Sequence, residues 1–246
     1  MNRIQPSVCP PQLRPIRQRW DLGSARFSNA SCEIPHALFA PQHYEPNYAY
    51  PLIIWLHGPQ DDERQLLRIM PMVSMRNYVA VAPRGVSGNM PGNTGEKSPA
   101  WCPTAEVAGR AEQCVFDSIS LAWQKYHISP NRIFLAGFDS GGTMAYHLAL
   151  NYPQYFAGVL SLGGRLPLGH KPFKHLDQAR QLAVFLAAGR DSTSYPPEQV
   201  CEDLRLLHSA GLSITLRQYP CRQELCPQML QDMDRWVIEQ IVDQAE

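Results

Sequence analysis

Short apolar runs alternate with stretches of helical periodicity along most of this chain. A short, continuous apolar run rich in aliphatic and aromatic side chains is typical of a strand buried on both faces. Such runs predict strands at 51–56, 78–82, 132–137, 156–162, 182–188 and 213–218. Apolar residues at helical spacing predict helices over 107–122, 200–207 and 229–241. This alternation indicates an α/β fold, with a mostly parallel central sheet and helices on both faces.

The beginning of the chain has a different composition from the rest. The first nineteen residues are rich in proline and arginine and contain no acidic residue. A segment of this kind has little apolar surface to bury, so we expect a loosely ordered arm over residues 1–30. No repeat or linker divides the remainder. Residues 31–246 are therefore predicted to form a single domain.

Composition and charge narrow the class of partner. The 246 residues are 44% hydrophobic, enough for one full core. The 22 basic and 22 acidic residues balance, so no net field attracts nucleic acid. No apolar run is long enough to span a membrane. Seven scattered cysteines without a C-x-x-C pair predict reduced thiols, a cytoplasmic location and no structural metal. Nothing in the composition indicates an oligomeric state.

The most specific motif is the run GFDSGG at 137–142, between a predicted strand and a helix. The small residues Gly137 and Gly141 permit a sharp strand-to-helix turn in which the two elements approach closely. Such a turn presents its middle residue at the edge of the sheet. That residue is Asp139, and Ser140 follows it.

Three further strand ends carry polar residues. In open α/β sheets the ligand site lies beyond the carboxyl ends of the strands. The first such loop contains His57, Gly58 and Pro59, and the later loops contain Asp191 and Gln223. We therefore expect these residues to lie near Asp139.

These motifs resemble the phospholipase/carboxylesterase branch of the α/β-hydrolases, which includes dienelactone-hydrolase-like and acyl-protein-thioesterase-like esterases. The resemblance runs from about residue 41 to the C terminus. It implies a three-layer α/β-hydrolase fold and hydrolysis of carboxylic esters without a cofactor. It also implies a His-Gly loop that supplies an oxyanion amide, an elbow serine, an acid in a Gly-x-x-Asp loop and a general-base histidine. Within this pattern Asp191 is the acid.

Three positions depart from the pattern at atoms that carry the chemistry. Asp139 stands where the resemblance implies serine, and Gln223 stands where it implies histidine. Pro59 stands where it implies an oxyanion amide, and proline has no N–H to donate. The Ser140 amide remains as an oxyanion donor at the start of a helix.

We therefore expect a degenerate serine esterase that binds a partner protein or, in its pocket, a small-molecule ester or another neutral ligand. Asp139 could also hold a cationic or hydroxyl-bearing ligand. In this interpretation the Ser140 and Gly141 amides hold the Asp139 side chain.

Two active alternatives remain open. Asp139 could act as the nucleophile, as in haloalkane dehalogenases and epoxide hydrolases, although release of the ester intermediate then needs an activating base. A rearranged esterase could instead use Ser140, with Asp139 or Glu224 as the base.

Other features have structural interpretations. His57 is expected to bridge backbone groups beneath the elbow, and Arg84 to brace a loop through a salt bridge. The stripe of Met229, Met233 and Trp236 is typical of core packing. The long loop at 84–103 is predicted to form a rim or lid.

Overall fold

The computed structural model describes residues 35–86, 100–101, 105–167 and 173–243. The arm predicted over residues 1–30 and most of the loop predicted at 84–103 lie outside the described residues.

Seven strands form one central sheet. They span His36–Phe39 (β1), Tyr50–Leu56 (β2), Val79–Pro83 (β3), Ile128–Phe138 (β4), Gly158–Leu162 (β5), Ala183–Gly189 (β6) and Ser213–Tyr219 (β7). Their order is β1-β3-β2-β4-β5-β6-β7. Strands β2 to β7 are parallel, and β1 pairs antiparallel with β3 at one edge. Every residue of β2, β3 and β5 is buried, as expected for strands covered on both faces.

Helices cover the two faces of the sheet. They span Gln65–Val73 (α1), Ala105–Lys125 (α2), Ser140–Asn151 (α3), Leu176–Ala179 (α4), Pro197–Ser209 (α5) and Pro227–Asp243 (α6). Apolar residues of α1 and α6 form one core with the sheet, and those of α2 and α3 form another on the opposite face. The predicted three-layer α/β architecture is confirmed, and so are the six predicted strands and three predicted helices, with shifted ends.

The apolar stripe of the last helix belongs to the core, as predicted. Met229, Met233 and Trp236 are buried on α6 against the sheet. Within the described part of the chain, no helix combines the length and the apolar character that a membrane crossing requires.

The sheet order fixes where a site can form. Strand β2 has β3 on one side and β4 on the other, so the chain changes winding direction there. Ligands of open α/β sheets bind at such a switch point, beyond the carboxyl ends of the strands. The loops that follow β2, β4, β5, β6 and β7 all leave this edge of the sheet.

Candidate functional site

The turn between β4 and α3 has the backbone of a nucleophile elbow. Asp139 has φ 52° and ψ −117°, a conformation rarely adopted by a residue with a side chain. A β-carbon on Gly137 would lie 2.4 Å from the carbonyl of Gly141, and one on Gly141 would lie 2.1 Å from the Leu56 oxygen. The strand, the turn and the helix therefore pack too closely for side chains at either glycine. The predicted sharp turn is confirmed, with Asp139 at its tip.

A hydrogen-bond chain joins Asp139 to two other loops. Gln223, after β7, donates from Nε2 to Asp139 Oδ2 at 2.6 Å and to the Gly163 carbonyl at 2.7 Å. Ser192, after β6, donates from Oγ to Gln223 Oε1 at 2.7 Å. Two acceptors surround Nε2 and a hydroxyl faces Oε1, so the neighbours fix the orientation of the amide. The predicted meeting of Asp139 and Gln223 is thus observed.

Ser192, not Asp191, contacts Gln223 from the β6 loop. Ser192 is buried, and its Oγ also accepts a 3.0 Å hydrogen bond from the Tyr195 N–H. Asp191 is exposed, and its backbone N–H donates to the Cys221 carbonyl. The structure therefore does not bring the Asp191 carboxylate to the position expected from the sequence. The sequence carries a signal for Ser192, because the Gly-x-x spacing counted from Gly189 ends on it.

The Asp139 carboxylate is not held as expected. Asp139 is the N-cap residue of α3, yet its side chain makes no capping hydrogen bond. Gln223 supplies the contact instead, through Oδ2. Within the described residues no hydrogen bond reaches the other oxygen, Oδ1. One carboxylate oxygen is thus fixed and the other is available to a ligand.

His57 has a structural position below the site. Its ring is completely buried, and burial lowers the pKa of the imidazole. The Gly85 N–H donates to Nε2 at 2.9 Å, which leaves Nδ1 to donate to the Gly58 carbonyl at 2.8 Å. Both ring nitrogens are therefore committed to the backbone, as the structural interpretation predicts, and a neutral ring satisfies both.

The rest of the His-Gly loop is turned away from the carboxylate. The Gly58 N–H donates to Gln65 Oε1 at 3.2 Å, and Pro59 is exposed. Neither residue lines the cavity at Asp139. Arg84 braces the neighbouring loop as predicted, through two hydrogen bonds to the Glu63 carboxylate at 2.6 and 2.9 Å.

A cavity of about 180 Å³ opens at Asp139. Ser140 lines it at the start of α3, where first-turn amides lack intrahelical acceptors and carry partial positive charge. Ser140 therefore lies beside the cavity, and its role as an oxyanion donor stays a prediction. Among the described residues, those that line the cavity are Trp101, Asp139, Ser140, Thr143, Gly163, Arg165, Ser194 and Gln223. None of these is a histidine.

Arg165 is a site residue that the sequence reasoning missed. It follows β5 and lines the cavity with an exposed guanidinium. Its Nε donates to the Ser194 carbonyl at 2.7 Å, and Nη2 contacts the same oxygen. The signal was available, because Arg165 follows a predicted strand at the same edge of the sheet as the other site residues.

Comparison with known proteins places the chain in a family. Residues 45–241 match the phospholipase/carboxylesterase family. Acyl-protein thioesterase 1 of Gibberella zeae is 25% identical over 168 residues, which cover 61% of this chain and 71% of that protein. A probable carboxylesterase of Oryza sativa subsp. japonica is 23% identical over 209 residues, covering 78% of this chain and 89% of the relative.

Two solved structures share the architecture. SOBER1 of Arabidopsis thaliana has a TM-score of 0.67 at 19% identity and covers 78% of this chain and 100% of its own. A carboxylesterase of Bacillus cereus has a TM-score of 0.66 at 18% identity and covers 87% of this chain and 96% of its own. At these identities the likeness shows the fold. Because the family match extends over most of the sequence, this chain belongs to the phospholipase/carboxylesterase family of α/β-hydrolases.

Proposed function

We propose that this chain is a family member that does not hydrolyse esters by the serine mechanism and uses its pocket to bind a small ligand. The hydrogen bond from Gln223 Nε2 to Asp139 Oδ2 is the observation that carries the proposal. A serine hydrolase needs a nucleophile that donates its proton to a base. Here the group at the elbow accepts a hydrogen bond, and the group facing it is an amide without a basic nitrogen.

The expected loss of catalysis is large. Removing the serine or the histidine of a protease triad costs about 10⁶-fold in kcat. Losing one oxyanion donor costs about 10²- to 10³-fold. Pro59 has no N–H to supply such a donor, and its exposed position supports no replacement contact. The remaining amide at Ser140 binds a carbonyl or an anion without activating water.

A second candidate function is single-turnover ester formation on Asp139. The strained elbow presents the carboxylate at its tip, and Oδ1 has no partner among the described residues. That oxygen could displace a leaving group from an alkyl halide or open an epoxide. Release of the product would need a base to activate water, and Gln223 cannot serve as one. This candidate predicts a stable covalent adduct.

The location of the protein is part of the proposal. Four cysteines in the described part of the chain, Cys114, Cys201, Cys221 and Cys226, are free thiols. Burial raises the pKa of the Cys221 thiol to about 11, which disfavours its reactive thiolate. Free thiols in the described part of the chain support the cytoplasmic location expected from the sequence.

Hydrolysis of activated esters and thioesters by the purified full chain tests this function. Wild type is compared with Asp139→Ala and Ser140→Ala, and intact mass is recorded after incubation with the esters, an alkyl halide and an epoxide. Asp177→Ala and Ser213→Ala are matched controls, because both residues are exposed and neither lines the cavity. We expect no turnover above the buffer rate and no mass adduct in any sample.

Each other outcome has a distinct meaning. Turnover lost specifically with Ser140→Ala would overturn the proposal in favour of a rearranged serine site. An adduct lost with Asp139→Ala would favour the aspartyl-ester candidate. Turnover unchanged in both variants would overturn the proposal and place the active group elsewhere.

A further inference from the structure

Two side chains of opposite charge line the cavity and do not form an ion pair with each other. Asp139 projects from the elbow after β4, and Arg165 projects from the loop after β5. In the part of the chain that the structure describes, neither takes part in a salt bridge. Among the described residues, each charge therefore has no counterion.

Neutral groups fix both charges in place. The Gln223 amide holds one oxygen of Asp139, and the Ser194 carbonyl accepts hydrogen bonds from Nε and Nη2 of Arg165. A neutral partner orients a charged group while leaving its net charge in the cavity. Oδ1 of Asp139 and Nη1 of Arg165 have no hydrogen-bond partner among the described residues.

The loop that carries Arg165 is held at two neighbouring points. The Ser161 hydroxyl donates to the Gly164 carbonyl at 2.9 Å. The buried Asp203 carboxylate accepts from the Leu166 N–H at 2.9 Å. Arg165 lies between these anchors, so contacts within the protein fix its backbone. Such preorganisation reduces the entropy lost on binding.

The cavity has room for a compact ligand. Its volume of about 180 Å³ lies below the range of roughly 300–1,000 Å³ that is typical of pockets for drug-sized ligands. The buried ring of Trp101 adds an apolar wall to the polar lining.

We propose that this cavity binds a small zwitterion, with its ammonium group at Asp139 and its carboxylate at Arg165. The inference rests on the proposed ligand-binding function and names the chemical class of the ligand. A molecule with both charges satisfies the two uncompensated groups at once, whereas a simple amine or a simple carboxylate leaves one of them without a counterion.

Calorimetric titration of the full chain with ω-amino acids, from glycine to 6-aminohexanoate, tests the proposal. The matching alkylamines and alkanoates, which carry one charge each, are titrated in parallel. We expect at least one ω-amino acid to bind. Its affinity should exceed that of either single-charge analogue by about ten- to a hundredfold, the weight of one charge-assisted hydrogen bond.

Two substitutions should show which end of the ligand each side chain binds. Asp139→Asn should weaken binding of amino acids and alkylamines and leave alkanoates unaffected. Arg165→Gln should weaken binding of amino acids and alkanoates and leave alkylamines unaffected, and Arg165→Lys should restore part of the loss. Asp177→Asn and Arg205→Gln are matched controls, because both residues are exposed and lie outside the cavity lining. Circular dichroism confirms that each variant is folded.

The outcomes distinguish this inference from the function on which it rests. If no ω-amino acid binds at about 10 mM, or if the single-charge analogues bind equally well, the zwitterion proposal is overturned. Ester hydrolysis measured on the same preparations decides the non-hydrolytic function independently. Turnover would overturn that function without altering the titration result.

Discussion

At the scale of single residues, the hydrogen bonds through Gln223 run opposite to the proton relay of a serine hydrolase. In such a relay the serine donates to histidine, and histidine donates to the acid. Here Ser192 donates to Gln223, and Gln223 donates to Asp139. A hydroxyl donor at one end and a carboxylate acceptor at the other suit a glutamine between them. The three side chains are thus mutually compatible as a fixed network, and the glutamine at its centre has no basic nitrogen that could take a proton from a nucleophile.

The residue at the Ser192 position should affect stability more than its acidic neighbour. Ser192→Ala removes the partner of Gln223 Oε1 and of the Tyr195 N–H, two contacts at a buried hydroxyl. We expect it to lower the free energy of unfolding by about 1–3 kcal/mol. Asp191→Ala, at an exposed side chain, should change it by about 0.5 kcal/mol or less. Urea denaturation of the two variants measures both values, and equal values would contradict the network.

The predicted partner of Gln223 in this loop is Asp191 and the observed one is Ser192, and the difference has a chemical origin. The family pattern calls for an acid in this loop, and Asp191 is an acid one position before the correct spacing. Residue type favours Asp191, yet the backbone after β6 decides which side chain faces Gln223, and that side chain is Ser192. Arg165 was missed for a different reason. The resemblance assigns no chemistry to the end of β5, and only the general rule that ligands bind beyond the strand ends applies to Arg165.

At the scale of elements, the elbow depends on the absence of two β-carbons. Gly141 lies against the end of β2, where an added β-carbon would come 2.1 Å from the Leu56 oxygen and 2.6 Å from the His57 oxygen. Backbone atoms cannot yield as a flexible side chain can. The same contact positions Asp139 at the tip. A change that pushes α3 away from β2 would therefore also move the Asp139 side chain.

Alanine substitutions should have opposite effects on stability at Gly141, which packs against the backbone, and at Gly109, which has open space around it. Gly141→Ala should lower the free energy of unfolding by about 3 kcal/mol, the upper end of overpacking effects. Gly109→Ala, in α2 where an added β-carbon meets nothing within 4 Å, should raise it by about 0.5–1 kcal/mol because alanine favours a helix. Denaturation by urea compares the two with wild type. A Gly141→Ala variant as stable as wild type would contradict the close approach.

The elements that could be predicted are those with a strong apolar signal. Buried parallel strands such as β2 and β5 are continuous apolar runs, so periodicity identifies them directly. The edge strand β1 was missed because it has four residues and is mostly half-buried. Its pairing with β3 is antiparallel and is stabilised by a long-range contact that no local pattern encodes. Local sequence thus predicts the centre of the sheet better than its edge.

At the scale of the whole molecule, the fold brings together loops that are distant in sequence. Asp139, Gly163, Ser192 and Gln223 follow four different strands, yet hydrogen bonds join them in one network. The parallel order of β4 to β7 places these strand ends side by side. Because the sheet fixes the loops, side chains at the site can change while the frame persists. Under the proposed function, this separation explains how a chain can belong to a hydrolase family without the catalytic groups that the family pattern implies.

Restoring those groups tests whether the frame still supports catalysis. The fourfold variant Asp139→Ser, Gln223→His, Pro59→Gly and Ser192→Asp should hydrolyse activated esters, because each new group takes a backbone position that the sheet already fixes. The threefold variant that leaves Ser192 unchanged retains only the exposed Asp191 as an acid. Its kcat should be lower by about 10⁴-fold, the effect of removing the orienting carboxylate in a protease. Steady-state hydrolysis by the two folded variants makes the comparison. Equal rates would restore Asp191 as the acid, whereas a folded but inert fourfold variant would contradict the assignment of these positions.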